Sequence, residues 1–234
     1  MQDKIKAIIF DADDTLWSNE PRFRAAEQRV GGLLKEFCDI GTMSETLYGI
    51  EVKNMEDYGF GAKAFTLSML ETAVQLSGGR LNGAQTAEII EIGRELLHNP
   101  AVPLDGVEET LKTLKASGKY KLVVMTKGEL LDQEHKLQRS GLLEYFSHVE
   151  VVSDKNIEEY KSLCQKIGVS VENLMTVGNS FKSDIAPVLE LGGWGVHIPF
   201  HVLWELEKTE EYDHGRLYRI DRFEDLLGIT LCEN

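Results

Sequence analysis

Ile5-Lys6-Ala7-Ile8-Ile9-Phe10-Asp11-Ala12-Asp13-Asp14-Thr15-Leu16 is the stretch that decides the fold. Its first half is short, β-branched and mostly apolar, the composition of a strand buried in a parallel sheet. Its second half sets two carboxylates, Asp11 and Asp13, one residue apart where that strand ends. In open α/β sheets chemistry gathers outside the carboxyl ends of strands. Three carboxylates, Asp11, Asp13 and Asp14, repel one another unless a cation or their own protonation relieves them. A hard divalent ion such as magnesium does so readily, because it takes oxygen ligands and keeps several waters. An Asx turn is the alternative, since Asp is common at strand ends for conformational reasons alone.

Beyond Leu16 the texture becomes helical and stays so from about Trp17 to His98. Arg22 to Cys38 has few breakers apart from Gly31-Gly32. Leu67, Leu70 and Val74, then Ile89, Ile92 and Leu96, recur at helical spacing and predict amphipathic helices packed on one another. Gly59 and Gly61 predict a tight loop around Phe60, and Gly78-Gly79 a helix end. Pro100 and Pro103 read as a linker.

From Asp105 strands and helices alternate. Helices are predicted at Val107–Ser117, Glu129–Ser140, Ile157–Ile167 and Ser183–Leu191. Strands are predicted at Lys121–Thr126, Val149–Val152, Leu174–Val177 and Trp194–Ile198. Repeated βα units imply a doubly wound, Rossmann-like parallel sheet with helices on both faces. The first strand joins that sheet, so residues 17–98 form a helical insertion, and residues 1–16 with 99–234 form the α/β core. An insertion beside a strand-end site is placed to act as a lid. The acidic stretch Glu205–Asp213 reads as a solvated face.

Each later strand also ends in polar groups. Thr126-Lys127-Gly128 offers a hydroxyl and backbone N–H groups suited to an anion. Asp154-Lys155 and Gly178-Asn179-Ser180 follow the next two strands, with Asp184 close behind. Each taken singly is commonly a cap, a turn or a solvated charge. Four such ends on one sheet argue together for a site.

Composition narrows the function. The chain has 234 residues and a net charge of −14, which disfavours nonspecific attraction to nucleic acid or an anionic membrane. An anionic substrate stays compatible, because a bound cation and a few lysines make a site locally positive. Cys38, Cys164 and Cys232 are scattered and form no CxxC pair, as expected of free thiols in a reducing compartment. No apolar run approaches a membrane span, and the first strand starts without a leader. The expectation is a cytoplasmic protein.

The pattern resembles the haloacid dehalogenase superfamily along essentially the whole chain. Asp11-Ala12-Asp13-Asp14-Thr15-Leu16 looks like its first motif, DxDxT. Thr126 looks like the second, Lys155 the third, and Gly178-Asn179-Ser180 with Asp184 the fourth. Residues 17–98 stand where the family carries its C1 cap. The resemblance implies a magnesium-dependent phosphatase acting on a small phosphorylated metabolite. Asp11 would be the nucleophile that forms an aspartyl-phosphate, and Asp13 the general acid and then base. Thr126 would bind a phosphoryl oxygen and Lys155 would offset charge. Asp184, the Asp11 carboxylate and the Asp13 main-chain carbonyl would hold Mg2+. A carboxylate nucleophile is ionised at neutral pH, and Asp13 is expected to have a raised pKa from its acidic neighbours.

Three positions depart from the family pattern. Asn179 stands where many members have Asp, and an amide oxygen still ligates magnesium directly or through water. Lys127 replaces a common Asn; it either adds positive charge toward the substrate or points to solvent. Asp14 replaces a common Gly, which a left-handed turn tolerates. Within the family a metal-free dehalogenase would lack Asp13, and a phosphomutase would need to shield its phospho-enzyme. A noncatalytic binding module is the reading from outside enzymology. For specificity, Trp17, Asn19, Glu20, Arg24 and the Tyr58–Lys63 loop are candidates, while His197 and His201 bracket the last strand without a metal-like spacing.

Overall fold

In the computed structural model, which describes residues 4–231, the run before Asp11 is the central strand β1 (Ala7–Phe10), buried along its whole length. It pairs in parallel with β2 (Lys121–Lys127) on one side and β4 (Leu174–Gly178) on the other. β3 (His148–Val152), β5 (Trp194–His197) and β6 (Leu217–Arg219) complete a six-stranded sheet in the order β3-β2-β1-β4-β5-β6. All of its pairings are parallel, and the strand order reverses between β1 and β4. That switch point leaves a crevice at the carboxyl ends of those two strands, where Asp11 follows β1 and Asn179 follows β4.

One face of the sheet packs Ile8, Phe10, Val124, Met175 and Val177 against Val107, Leu111 and Leu114 of α5 (Val107–Ser117). The other face packs Ala7, Ile9, Val123 and Met125 against Tyr160, Leu163 and Ile167 of α7 (Ile157–Ile167). Burying apolar side chains on both faces is what makes the strands read as continuous hydrophobic runs. The chain divides into two compact units, one of residues 1–20, 101–127 and 133–234, the other of residues 21–100 and 128–132. Residues 128–132 thus group with the insertion.

The second unit holds four helices, α1 (Glu20–Leu34), α2 (Ile40–Tyr58), α3 (Ala62–Ser77) and α4 (Gly83–Leu97). Val30, Leu34, Met43, Leu47, Phe65, Met69, Ala73, Ile89 and Ile92 form its core. The α3 stripe differs from the sequence expectation. Leu67 and Val74 are exposed, and the buried face carries Phe65, Met69 and Ala73 with Ser68 and Thr72. Small and hydroxylated residues sit inside because α3 runs close to both its neighbours, and Asn54 of α2 donates to the Ser68 hydroxyl at 3.2 Å. A Cβ at Gly93 would stand 2.0 Å from the Thr66 hydroxyl, and Ser68 and Thr72 return their hydroxyls to backbone carbonyls one turn earlier. Cys38 and Cys164 are free thiols; Cys232 lies outside the described residues. Among the described residues no helix is long and apolar enough to cross a membrane.

Candidate active site

The site is assembled by the turn after β1. Asp11 stays in the ladder through its N–H to the Val177 carbonyl at 2.9 Å. The chain then winds once, with the Thr15 and Leu16 N–H groups on the Ala12 carbonyl, and crosses back through Asp14 N–H to the Trp17 carbonyl at 2.7 Å. Asp14 takes φ 65°, in the left-handed region, where Asp is tolerated better than most residues. Its carboxylate accepts from the Asn19 and Glu20 N–H groups and so caps the start of α1. Burial pushes the Asp14 carboxyl up to about 7, against those hydrogen bonds. Asn19 and Glu20, both specificity candidates, thus hold a turn by their backbones.

Asp11 is buried between two donors. Thr15 Oγ1 donates to Asp11 Oδ2 at 2.9 Å, and Lys155 Nζ donates to Asp11 Oδ1. The same ammonium reaches Asp184 Oδ1 at 2.7 Å, so Lys155 bridges the two carboxylates. Burial, with Asp184 and Asp13 adding to it, pushes the Asp11 carboxyl above the ordinary range despite Lys155. The two carboxylates in turn hold Lys155 above its ordinary value against the cost of burial. Thr15 Oγ1 also meets Asn179, accepting from its N–H at 3.1 Å and lying 3.3 Å from Oδ1. His197 Nε2 donates to the Asn179 carbonyl at 3.0 Å. Asp11, Asn179, Asp184 and Lys155 therefore converge, as sequence order suggests.

Asp184 is aimed by the π-helical turn Phe181–Ile185 rather than by the regular helix expected there. Its Oδ2 accepts from the Ser180 N–H at 3.0 Å. Gly178 makes this possible, because a Cβ there would lie 2.3 Å from Asp184 Oδ2. Thr126 is the penultimate residue of β2, level with Val151, and its buried hydroxyl makes a long 3.4 Å contact to the Lys127 carbonyl.

Asp13 departs from expectation. Both its oxygens are fully engaged: Trp17 Nε1 donates at 2.7 Å, Gln133 Nε2 at 2.8 Å, and Lys136 Nζ to both oxygens at 2.8 and 2.7 Å. Burial alone would raise the carboxyl, but Lys136 and these donors hold it below the ordinary range. The expected upward shift is corrected accordingly: the charge facing Asp13 most closely is a cation, not a carboxylate. Lys136 and Gln133 come from α6 (Leu130–Ser140) and were not among the sequence candidates. Trp17, a specificity candidate, is 0% exposed and serves Asp13 instead.

Lys127 meets neither sequence expectation. Its ammonium pairs with Glu207 and lies 3.1 Å from Ser183 Oγ. Glu207, read from sequence as part of a solvated stretch, is 9% exposed. Burial would push its carboxyl up, yet Lys127, with hydrogen bonds from Ser180 and Ser183, brings it down to about 2. Arg24 lies in the second unit, 3.4 Å from Glu27, and Lys63 pairs there with Glu129 at 2.5 Å.

A buried carboxylate on a lysine bridge, beside a second carboxylate rich in donors, can attack an electrophile and move a proton. The chain is similar to proteins of known name or structure. A glyceraldehyde 3-phosphate phosphatase of Methanocaldococcus jannaschii is 27% identical over 238 residues, spanning 97% of each chain. A haloacid dehalogenase-like family hydrolase of Xanthomonas campestris matches with a TM-score of 0.87 and 34% identity, over 97% of this chain and 91% of that one. The L-2-haloacid dehalogenase of Xanthobacter autotrophicus, at 15% identity and a TM-score of 0.65 over 97% of this chain and all of its own, shares the fold. The haloacid dehalogenase-like hydrolase model matches residues 5–192, and the chain belongs to that family.

Proposed function

We propose that the chain hydrolyses a small phosphomonoester, with magnesium, through an aspartyl-phosphate on Asp11. The enzyme is a phosphatase of its family, and the relatives named for glyceraldehyde 3-phosphate make a triose phosphate the first substrate to assay. The observation that carries the reading is the Lys155 bridge between Asp11 and Asp184 at the switch point of the sheet.

The donors present suit a hard cation. Asp11 and Asp184 offer carboxylate oxygens and Asn179 an amide oxygen, and the family resemblance adds the Asp13 main-chain carbonyl. Among the described residues no three acidic, His or Cys side chains are arranged to hold a metal ion by themselves, and magnesium needs only one or two carboxylates because it keeps several waters. The charge balance points the same way. Lys127, Lys136 and Lys155 face Asp11, Asp13, Asp184 and Glu207, so the protein groups alone present net negative charge to a phosphate dianion. Magnesium, when bound, supplies the positive charge that lets the dianion approach Asp11.

An Asp11 oxygen attacks phosphorus, the ester P–O bond breaks, and the leaving oxygen takes a proton from Asp13. Asp13 then takes a proton from water as that water attacks the phospho-enzyme, releasing inorganic phosphate and Asp11. The fully donated, ionised Asp13 is the form needed for the second step. For the first it must shed a donor and gain a proton. Thr126 donates to a phosphoryl oxygen, and Lys155 stabilises the charge that gathers between Asp11 and phosphorus.

Phosphate release from p-nitrophenyl phosphate and from glyceraldehyde 3-phosphate, with magnesium and with EDTA, tests the reading. Turnover lost on chelation and restored by magnesium is expected. Metal-independent halide release from a 2-haloacid, with no phosphatase activity, would overturn it.

A further inference from the structure

Glu207 belongs to a 3-10 turn, Glu205–Glu207, in the long connection between β5 and β6, yet its carboxylate reaches the carboxyl end of the sheet. One oxygen pairs with Lys127. The other accepts from Ser180 Oγ at 2.5 Å and Ser183 Oγ at 2.6 Å. Ser180 Oγ in turn accepts from the Ser183 N–H at 3.0 Å, and the Ser180 N–H donates to Asp184 Oδ2 at 3.0 Å. Tyr160 pins the same turn by donating its hydroxyl to the Ser183 carbonyl at 3.1 Å, and Lys182 donates to the Leu206 carbonyl at 2.7 Å.

We infer that Glu207 is a positioning residue for Asp184: it fixes Ser180, Ser183 and Lys127 into one bracket, and the bracket fixes the direction of the Asp184 carboxylate toward the metal. The geometry leaves Glu207 remote from the reacting atoms, with one serine between it and Asp184. π-helical turns are rare and occur mostly as single turns at functional sites, and this one is held by contacts from outside itself. A charged acceptor that takes two hydroxyl donors gives this one a rigid external brace. Lys127 completes the brace by neutralising Glu207, so its positive charge is spent on the scaffold rather than on a phosphate. Groups that orient a metal ligand in this way typically change metal affinity by about 10–100-fold when removed. The inference rests on the magnesium reading above.

The test is direct calorimetric titration of the purified protein with magnesium alone, beside thermal melting and phosphatase assays over a range of magnesium concentrations. Glu207→Met with Lys127→Met removes both charges together, so no buried charge is left unpaired; Glu207→Gln is the single-site variant, which keeps an acceptor for the serines but leaves Lys127 without its counter-charge. Glu205→Gln, on the same turn but in a surface pair with Lys208, is the control. Both Glu207 variants should melt above the assay temperature, bind magnesium about 10-fold or more weakly, and regain turnover as magnesium is raised, with the KM for substrate unchanged. Glu205→Gln should match the wild type. Folded Glu207 variants that bind magnesium as tightly as the wild type would overturn the inference. A wild-type protein that binds no magnesium would overturn the magnesium reading itself, a separate result.

Discussion

Replacing Lys127 by Met should make the protein less stable by an amount that depends on pH in a set direction. In the wild type the Glu207 carboxyl lies at about 2, against an ordinary value of 4.5. A carboxyl held below its unfolded value adds stability that is fully present above the unfolded value and lost as pH falls through the folded one. The gap between those values corresponds to about 3 kcal/mol at neutral pH. Both side chains are largely buried, 16% exposed for Lys127 and 11% for Glu207, so solvent screens the pair little. Lys127→Met leaves burial unopposed except by the two serines, and breaking a buried pair from one side costs about 3–5 kcal/mol. Urea unfolding followed by circular dichroism should therefore show the variant about 3 kcal/mol less stable at neutral pH, with the gap shrinking to about half or less near pH 3. Lys208→Met, which breaks only a surface pair with Glu205, should cost under about 0.5 kcal/mol. A gap of the same size at both pH values, or a Lys127 variant no weaker than the Lys208 control, would refute the reasoning.

Gly178→Ala should displace Asp184, since the added methyl would stand 2.3 Å from its Oδ2; urea titration should read a loss of about 1–3 kcal/mol, and a crystal structure should show the 2.7 Å Lys155–Asp184 contact broken. Asp11→Asn should abolish phosphate release while the melting temperature stays near that of the wild type, and normal turnover by this variant would remove the covalent step. Asp13→Ala should lower kcat by about 10²–10⁴-fold, read by steady-state kinetics on an aryl phosphate. An unchanged rate there would mean that another group moves the proton.

The sequence carried the strand ends well and their surroundings poorly. Asp11, Asn179 and Lys155 each follow a short apolar strand by one to three residues, so register and topology alone brought them together. Asp184 came with them because the turn after β4 is short. Lys136 and Gln133 were missed because polar residues on a helix normally face water. A signal was nevertheless there. Gln133 and Lys136 stand three apart beside Leu137, which puts all of them on one face of α6, and that is the face buried in the fold. Leu130 and Leu131, the apolar residues that open the same helix, are exposed. Its polarity is inverted, and an inverted helix next to a site deserves to be read as part of that site. Glu207 had no comparable signal. It lies 80 residues from Lys127 and 24 from Ser183, in a stretch whose acidic composition matches an ordinary solvated loop. The α3 stripe misled for the opposite reason: Leu67 and Val74 have the right spacing, but close approach to α2 and α4 selected the face with smaller side chains.

A fold shared with a dehalogenase at a TM-score of 0.65 leaves the reaction undecided, because fold positions a site without choosing its chemistry. The choice falls to how each carboxylate near the switch point is held. Asp11 accepts from one hydroxyl and one ammonium and is pushed toward protonation by burial, so added positive charge is what would keep it a nucleophile. Asp13, two residues on, is saturated with donors and held ionised by Lys136. Reactions that need only the first carboxylate gain nothing from the second. Trp17, Gln133 and Lys136 all donate to Asp13, and the proposed ester hydrolysis would use that carboxylate twice in each turnover, once to give a proton to the leaving oxygen and once to take one from water.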